Sequence, residues 1–153
     1  MTYAYTVERY AETLEEMTPI YRQHYQEMAD RLAKDGIEVS PFNPRFDAYI
    51  NYNESGDLMH FLVRKDGKAV AYANVYVTRD MHNQDLIAQE DAIYVIPEHR
   101  NGIGRILTKK ILAALKSAGV KRAYMTAVTD PRATHLWKRL GFRETGSVLT
   151  IQF

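Results

Sequence analysis

Two glycines one residue apart, Gly102 and Gly104, join a β-forming run to an amphipathic one, and that junction constrains this chain more than any other stretch. The segment Asp85–Gly119 reads as strand, tight turn and helix. Ala88, Ala92, Ile93, Tyr94, Val95 and Ile96 form the strand, and Pro97 ends it. After the turn, Ile103, Ile106, Leu107, Ile111, Ala114, Leu115 and Ala118 recur at three- and four-residue steps, the period of one apolar helix face. Gly119 stands where a left-handed C-terminal cap is wanted.

The first amides of a helix have no partner within it, and they carry the positive end of its dipole. Glycine at 102 and 104 removes the side chains that would keep an anion from those amides, and Arg100 and Arg105 add charge nearby. The turn is therefore predicted to cradle an anion, and a pyrophosphate has the right size and charge. On its own, a Gly-x-Gly opening a helix is often only a tight turn. The G-x-G-x-x-G of a dinucleotide fold fails here because Leu107 takes the third glycine position, and G-x-x-x-x-G-K-[ST] is absent.

The run Val95-Ile96-Pro97-Glu98-His99-Arg100-Asn101-Gly102-Ile103-Gly104-Arg105-Ile106-Leu107 resembles the phosphate-binding motif of the GNAT superfamily of acetyl-CoA-dependent N-acyltransferases, V-x-P-x-x-R…[QR]-x-x-G-x-[GA]. His99 falls at the first Gln/Arg position, and the turn is one residue shorter than the common version. A second landmark, N-x-x-A-x-x-[FL]-Y-x-K-L-G-F, stands here as Asp130-Pro131-Arg132-Ala133-Thr134-His135-Leu136-Trp137-Lys138-Arg139-Leu140-Gly141-Phe142. Asp130 replaces the Asn that contacts the pantetheine arm. Trp137 replaces the Tyr that commonly protonates the departing thiolate, and an indole N–H is no acid at neutral pH. The Tyr-rich N-terminal helix, the Asp-x-x-Tyr-Val strand and the His82–Asp85 turn also resemble small acetyltransferase-like proteins of tailed bacteriophages.

The rest of the chain suits that fold. Tyr3–Glu8 alternates as a short strand, and Ala11–Lys34 reads as a helix with Leu14, Met17, Tyr21, Tyr25, Met28 and Leu32 on one face. Pro19 predicts a kink or a break into two helices. Gly36–Asn53 is loop-like, with a short helix near Arg45–Tyr52, and serves as a lid or a plain connector. Leu58–Arg64 and Ala69–Thr78 are strands joined by the hairpin turn Asp66-Gly67. Arg122–Val128 is a strand parallel to Asp85–Ile96 by a right-handed crossover. Asp130-Pro131 starts a helix as N-cap and first helical residue. Phe142–Phe153 is read as a last strand, broken or bulged near Gly146. The expectation is an α/β (α+β) GNAT fold in a single domain, 1–153: a mixed sheet of six to seven strands, about four helices, and a splay between Asp85–Ile96 and Arg122–Val128.

The resemblance implies acetyl-CoA as co-substrate and transfer of acetyl to a primary amine by direct attack. The backbone of Ile93, Tyr94 and Val95 would pair with pantetheine, with a backbone N–H near Val95 holding the oxyanion. His99, Arg100, Asn101, Gly102, Ile103, Gly104 and Arg105 would surround the diphosphate, with Asp130 and Trp137 along the arm. A lysine-like amine has a pKa of roughly 10.4, so a base must take its proton. Asp91 and Glu90 on the central strand are candidates, as is His82 oriented by Asp85; Tyr124, Tyr94 and His135 are candidate acids. Strand alternation predicts that Asp91, Ile93 and Val95 share one face. Tyr21, His24, Tyr25 and Met28 form core packing, one wall of the acceptor site, or both.

Composition narrows the field. With 20 basic and 19 acidic residues the formal charge is +1, which gives no pull toward nucleic acid or membrane. There is no cysteine, and the five histidines are scattered without H-E-x-x-H, so no metal site and no thiol chemistry are expected. No apolar run or leader pattern is present, and a cytoplasmic protein is expected. The resemblance makes a homodimer a possible assembly. The departures at Asp130 and Trp137 also leave room for a catalytically degenerate member that binds CoA or another protein, such as a phage structural or host-interaction factor.

Overall fold

A computed structural model describes residues 2–126 and 130–153. The order is β1 (Tyr3–Val7), α1 (Tyr10–Lys34), α2 (Phe46–Ser55), β2 (Leu58–Lys65), β3 (Lys68–Arg79), β4 (Leu86–Val95), a 3-10 turn (Pro97–His99), α3 (Ile103–Ser117), β5 (Arg122–Tyr124) and α4 (Pro131–Arg139). Among the described residues the sheet has five strands in the order β1-β2-β3-β4-β5, rather than six to seven. The first four are antiparallel, and β5 lies parallel to β4. Asp66 and Gly67 both have positive φ, the geometry a two-residue hairpin needs, which sets the β2–β3 pairing.

Each sheet face has its own core. Phe61, Val63, Ala71, Ala73, Val75 and Ala88 pack with Ile103, Leu107, Ile111 and Leu115 of α3. Tyr10, Met17 and Tyr21 of α1 pack with Leu62, Tyr72 and Tyr94 on the other face, beside Phe46, Tyr49 and Ile50 of α2. Each large apolar side chain buried this way contributes about 1.5–3 kcal/mol.

Three expectations are corrected. Pro19 does not divide α1, which runs unbroken through it. Pro19 is exposed, as is Glu15, whose carbonyl loses its helical donor there and faces water. Phe142–Phe153 is not a strand but irregular chain, with Val148, Leu149 and Ile151 exposed. β-forming residues make a strand only with a partner, and this segment meets the connector between α1 and α2 instead: Glu38 and Gln152 exchange two hydrogen bonds, Glu38 N–H to Oε1 at 2.9 Å and Nε2 to Glu38 C=O at 2.7 Å. Thirdly, the described part of the Arg122–Val128 strand is Arg122–Tyr124; its far end, Ala127 and Val128, lies outside the described residues.

Candidate active site

β4 and β5 pair only at Ile87↔Arg122, Ala88↔Ala123 and Gln89↔Tyr124. From Glu90 to Val95 the β5-facing edge of β4 has no strand partner among the described residues. The splay expected here involves residues 127–129, which lie outside the described residues; the unpaired edge leads to the glycine turn.

Gly102 adopts φ +100°, a conformation costing other residues roughly 1–2 kcal/mol. A Cβ there would meet nothing within 4 Å, so the cradle is open. α3 has no side-chain cap. Its first backbone bond is Ile106 N–H to Gly102 C=O at 3.3 Å. Among the described residues nothing accepts from the amides of 102–105. Gly104 faces Leu136 of α4 and Val95 of β4; a Cβ there would touch both at 3.9 Å. The open amides and the absent side chains fit a diphosphate.

The charges around the turn are disposed differently from expectation. Arg100 turns away from the amides. Its Nε donates to Val95 C=O at 2.9 Å, its Nη2 to Glu27 of α1 at 2.8 Å, and the guanidinium sits 5.3 Å from the Tyr94 ring centre. Arg100 therefore ties the turn to α1 instead of adding charge to the cradle. His99 Nδ1 is hydrogen-bonded to the Tyr3 hydroxyl at 2.9 Å. Arg105 and Asn101 are exposed, and Arg105 makes no ion pair among the described residues. Asp130 caps α4 through Arg132 N–H at 3.1 Å and pairs with Arg31 of α1 at 3.4 Å. Trp137 is 5% exposed and packs against Phe142, 6.4 Å between ring centres. It lines a 1110 Å³ hollow beyond β5, together with Tyr124 and Phe142 and away from the glycine turn.

The decisive irregularity is in β4. Asn74 pairs with Ala92 and Val75 with Glu90, so Asp91 is an extra residue in the ladder. This bulge breaks the period-two argument. Ile93 and Val95 pack on the α3 face, whereas Asp91 lines a cavity on the α1/α2 face with Ala92. The expectation that Asp91, Ile93 and Val95 share a face is corrected accordingly. Glu90 keeps the parity of Ala88, whose core is on the α3 face. The two acids thus leave the bulge in opposite directions.

Their electrostatics differ as well. Glu90 Oε2 accepts from Thr126 N–H at 3.2 Å, beside the unpaired edge. Burial, only partly offset by that bond, pushes Glu90 up to about 7. Asp91 Oδ2 accepts from the Tyr49 hydroxyl at 2.8 Å. Asp91 keeps a solvent-open side at the cavity mouth, but the enclosing rings raise its carboxyl above the usual range, and the Tyr49 bond opposes them.

The cavity measures 820 Å³. The predicted wall residues Tyr21, His24, Tyr25 and Met28 line it. His24 stacks on Tyr94, 4.6 Å between ring centres, and its Nδ1 is hydrogen-bonded to the Tyr72 hydroxyl at 2.5 Å. Desolvation holds His24 down at about 4, so it is neutral near pH 7. Sequence reasoning missed Tyr10, Tyr49, Tyr72, Asn74 and Tyr76. The signal for three of them was present: Tyr72, Asn74 and Tyr76 are two apart along β3 and share one face.

His82 is set aside by the geometry. It lies on an exposed turn, its amide bonded to Asp80 Oδ1 at 2.7 Å. Asp85, its expected orienting partner, pairs instead with Arg122 at 2.8 Å and Lys121 at 3.4 Å. Arg122 also donates to the Tyr124 hydroxyl at 3.2 Å, so that phenol is engaged in the same surface cluster.

A mixed sheet whose β4 edge is unpaired among the described residues, beside an uncapped, glycine-opened helix, is an architecture suited to binding a diphosphate. The chain matches the acetyltransferase (GNAT) family over residues 14–142 and belongs to that family. Acetyl-CoA is the co-substrate of GNAT acetyltransferases. Similar solved structures include a predicted acetyltransferase with acetyl-CoA from Clostridium acetobutylicum (15% identity, TM-score 0.72, covering 99% of this chain and 96% of that one). A ribosomal-protein-alanine N-acetyltransferase from Brucella melitensis biovar Abortus 2308 is similar at 16% identity and TM-score 0.72, covering 98% and 99%. An aminoglycoside acetyltransferase from an uncultured soil metagenomic sample is similar at 19% identity and TM-score 0.74, covering 100% and 99%. These identities show a shared fold. Comparison with the curated proteins gives no match. No helix among the described residues is long and apolar enough to cross a membrane.

Proposed function

We propose that this protein is an N-acetyltransferase that moves the acetyl group of acetyl-CoA to a primary amine by direct attack. The observation that carries this reading is the bulge at Asp91, which puts that carboxylate in the cavity while Ile93 and Val95 stay on the α3 face and Glu90 lies at the start of the unpaired edge. The amides of 102–105 hold the diphosphate, and the open edge of β4 from Glu90 to Val95 receives the pantetheine arm. Asp91 orients the acceptor amine from the cavity side. Glu90, on the other face of β4 and poised near neutrality, takes the amine's proton through water at the strand's open edge. The amine nitrogen forms a bond to the acetyl carbon, and the carbon–sulfur bond breaks to release CoA. Position 137 holds no phenol to protonate the thiolate, so solvent supplies that proton. The family names of the neighbours, one acting on ribosomal-protein alanine and one on aminoglycosides, support an amine acceptor.

The test is a thermal shift with acetyl-CoA followed by thiol release against a panel of amines. Stabilisation by acetyl-CoA with amine-dependent thiol release is expected. Stabilisation with no release on any amine would make the protein a CoA-binding module and overturn the proposal.

A further inference from the structure

Seven tyrosines and Phe42 line the 820 Å³ cavity, and among its described lining residues Asp91 is the only acid. Tyr21, Tyr10 and Tyr49 form a ladder, with stacked rings 5.7 and 5.2 Å apart and 5° and 13° from parallel. The Tyr49 end of the ladder holds Asp91 by the 2.8 Å bond. Tyr72 closes the other end edge-on to Tyr21 at 4.8 Å. The Tyr21 hydroxyl, on a residue 7% exposed, is buried beside Tyr10 with no hydrogen-bond partner in good geometry. Arg45 is the only Lys or Arg among the lining residues, and it is exposed at the mouth.

From this arrangement we infer that the acceptor is a primary amine carrying one positive charge on a flat apolar body. This inference rests on taking the cavity as the acceptor side of the reaction proposed above, and it names the acceptor's class.

An ammonium ion is drawn both to the carboxylate and to the negative faces of the rings around it. Asp91 has a single side-chain donor in Tyr49, so a cation at its second oxygen completes its coordination. Only one such anion is available. A polyamine or aminoglycoside would leave its further charges against tyrosine rings with no carboxylate to meet them, which burial penalises. The volume lies within the roughly 300–1,000 Å³ range of small-molecule sites, far more than an ammonium head alone fills, and the partly exposed rings of Tyr25, Tyr49, Tyr52 and Tyr76, backed by the buried ladder, offer a flat apolar surface for the remainder.

The experiment is isothermal titration of the full chain with 2-phenylethylamine, the neutral alcohol 2-phenylethanol and the polycation spermidine. Saturable binding of 2-phenylethylamine is expected, at least about tenfold tighter than either comparison compound. Asp91→Asn should lose about tenfold or more of that affinity while binding acetyl-CoA as the unaltered chain does. Equal affinity for the alcohol, tighter binding of spermidine, or no saturable binding of 2-phenylethylamine overturns the inference. The alcohol and spermidine comparisons need no variant, so misfolding of Asp91→Asn would not blunt the test. The two readings fail separately. Binding of 2-phenylethylamine without thiol release from any amine overturns the acetyl-transfer proposal and supports this ligand class. Thiol release with spermidine alone does the reverse.

Discussion

Replacing Glu90 by Gln should stabilise the protein and disable it together, and the stability change should depend on pH. Gln has nearly the shape of Glu, and its amide oxygen can still accept from Thr126 N–H. Burial raises the Glu90 carboxyl from 4.5 to about 7 in the folded chain. Each unit is worth about 1.4 kcal/mol, so ionised Glu90 costs the fold about 3 kcal/mol, good to about one unit's worth. Below pH ~4.5 both folded and unfolded chains hold the proton, and the cost is absent. Between about 4.5 and 7 the unfolded chain gives up its proton first, so stability falls as pH rises; above about 7 the full cost is present. The neutral amide of the Glu90→Gln chain bears no such cost at any pH. Denaturant melts of both chains from pH 4.5 to 8 should therefore show curves that nearly coincide at the acid end and separate by about 2–3 kcal/mol at pH 8, equivalent to a Tm gain of about 4–12 °C for a chain of this size. If Glu90 is the base, thiol release should fall by about 10²–10⁴-fold in the variant. The unaltered enzyme's rate should rise through pH ~7 as Glu90 loses its proton. A stability difference that is constant across pH, or a Glu90→Gln chain less stable than the unaltered one at pH 8, would refute the burial argument.

Other perturbations separate the remaining roles. Gly104→Glu should abolish stabilisation by acetyl-CoA, since it drives a charged side chain into the cleft between Val95 and Leu136 beside the α3 amides; Gly104→Ala, whose Cβ makes only ordinary 3.9 Å contacts, should keep the Tm of the CoA-free chain within about 3 °C in a thermal melt. Arg100→Ala should change acetyl-CoA affinity by less than about threefold in titration calorimetry, because Arg100 is engaged by Glu27 and Val95, while destabilising the fold by about 1–3 kcal/mol in denaturant melts. His82→Ala should leave kcat/KM unchanged within about twofold, as expected of an imidazole on a surface turn.

Much of the scaffold was legible because its signals are local. The Asp66-Gly67 turn, the apolar face of α3 and the Asp130-Pro131 helix start each depend on a few neighbouring residues, and the structure agrees at all three. What was not legible depends on distant partners. Arg100 looked like a phosphate ligand until Glu27, 73 positions away, came within 2.8 Å of it. Asp91 does not share a face with Ile93 and Val95 because a bulge is set by cross-strand register against Asn74 and Val75, which no window on β4 reveals. Phe142–Phe153 has strand-forming residues, but propensity alone supplies no neighbouring strand. The tyrosine-lined cavity is half visible in the sequence. Its α1 wall followed from helical spacing, whereas the β3 wall needed the tyrosines at 72 and 76 to be read as one polar-aromatic face.

The central claim is that the uncapped amides at the start of α3 grip a diphosphate. Calorimetric titration with ADP and with adenosine, which differ only in the diphosphate, tests it most directly. ADP should bind at least about tenfold more tightly, a difference of roughly 1.4 kcal/mol or more. Equal affinities for the two would contradict it.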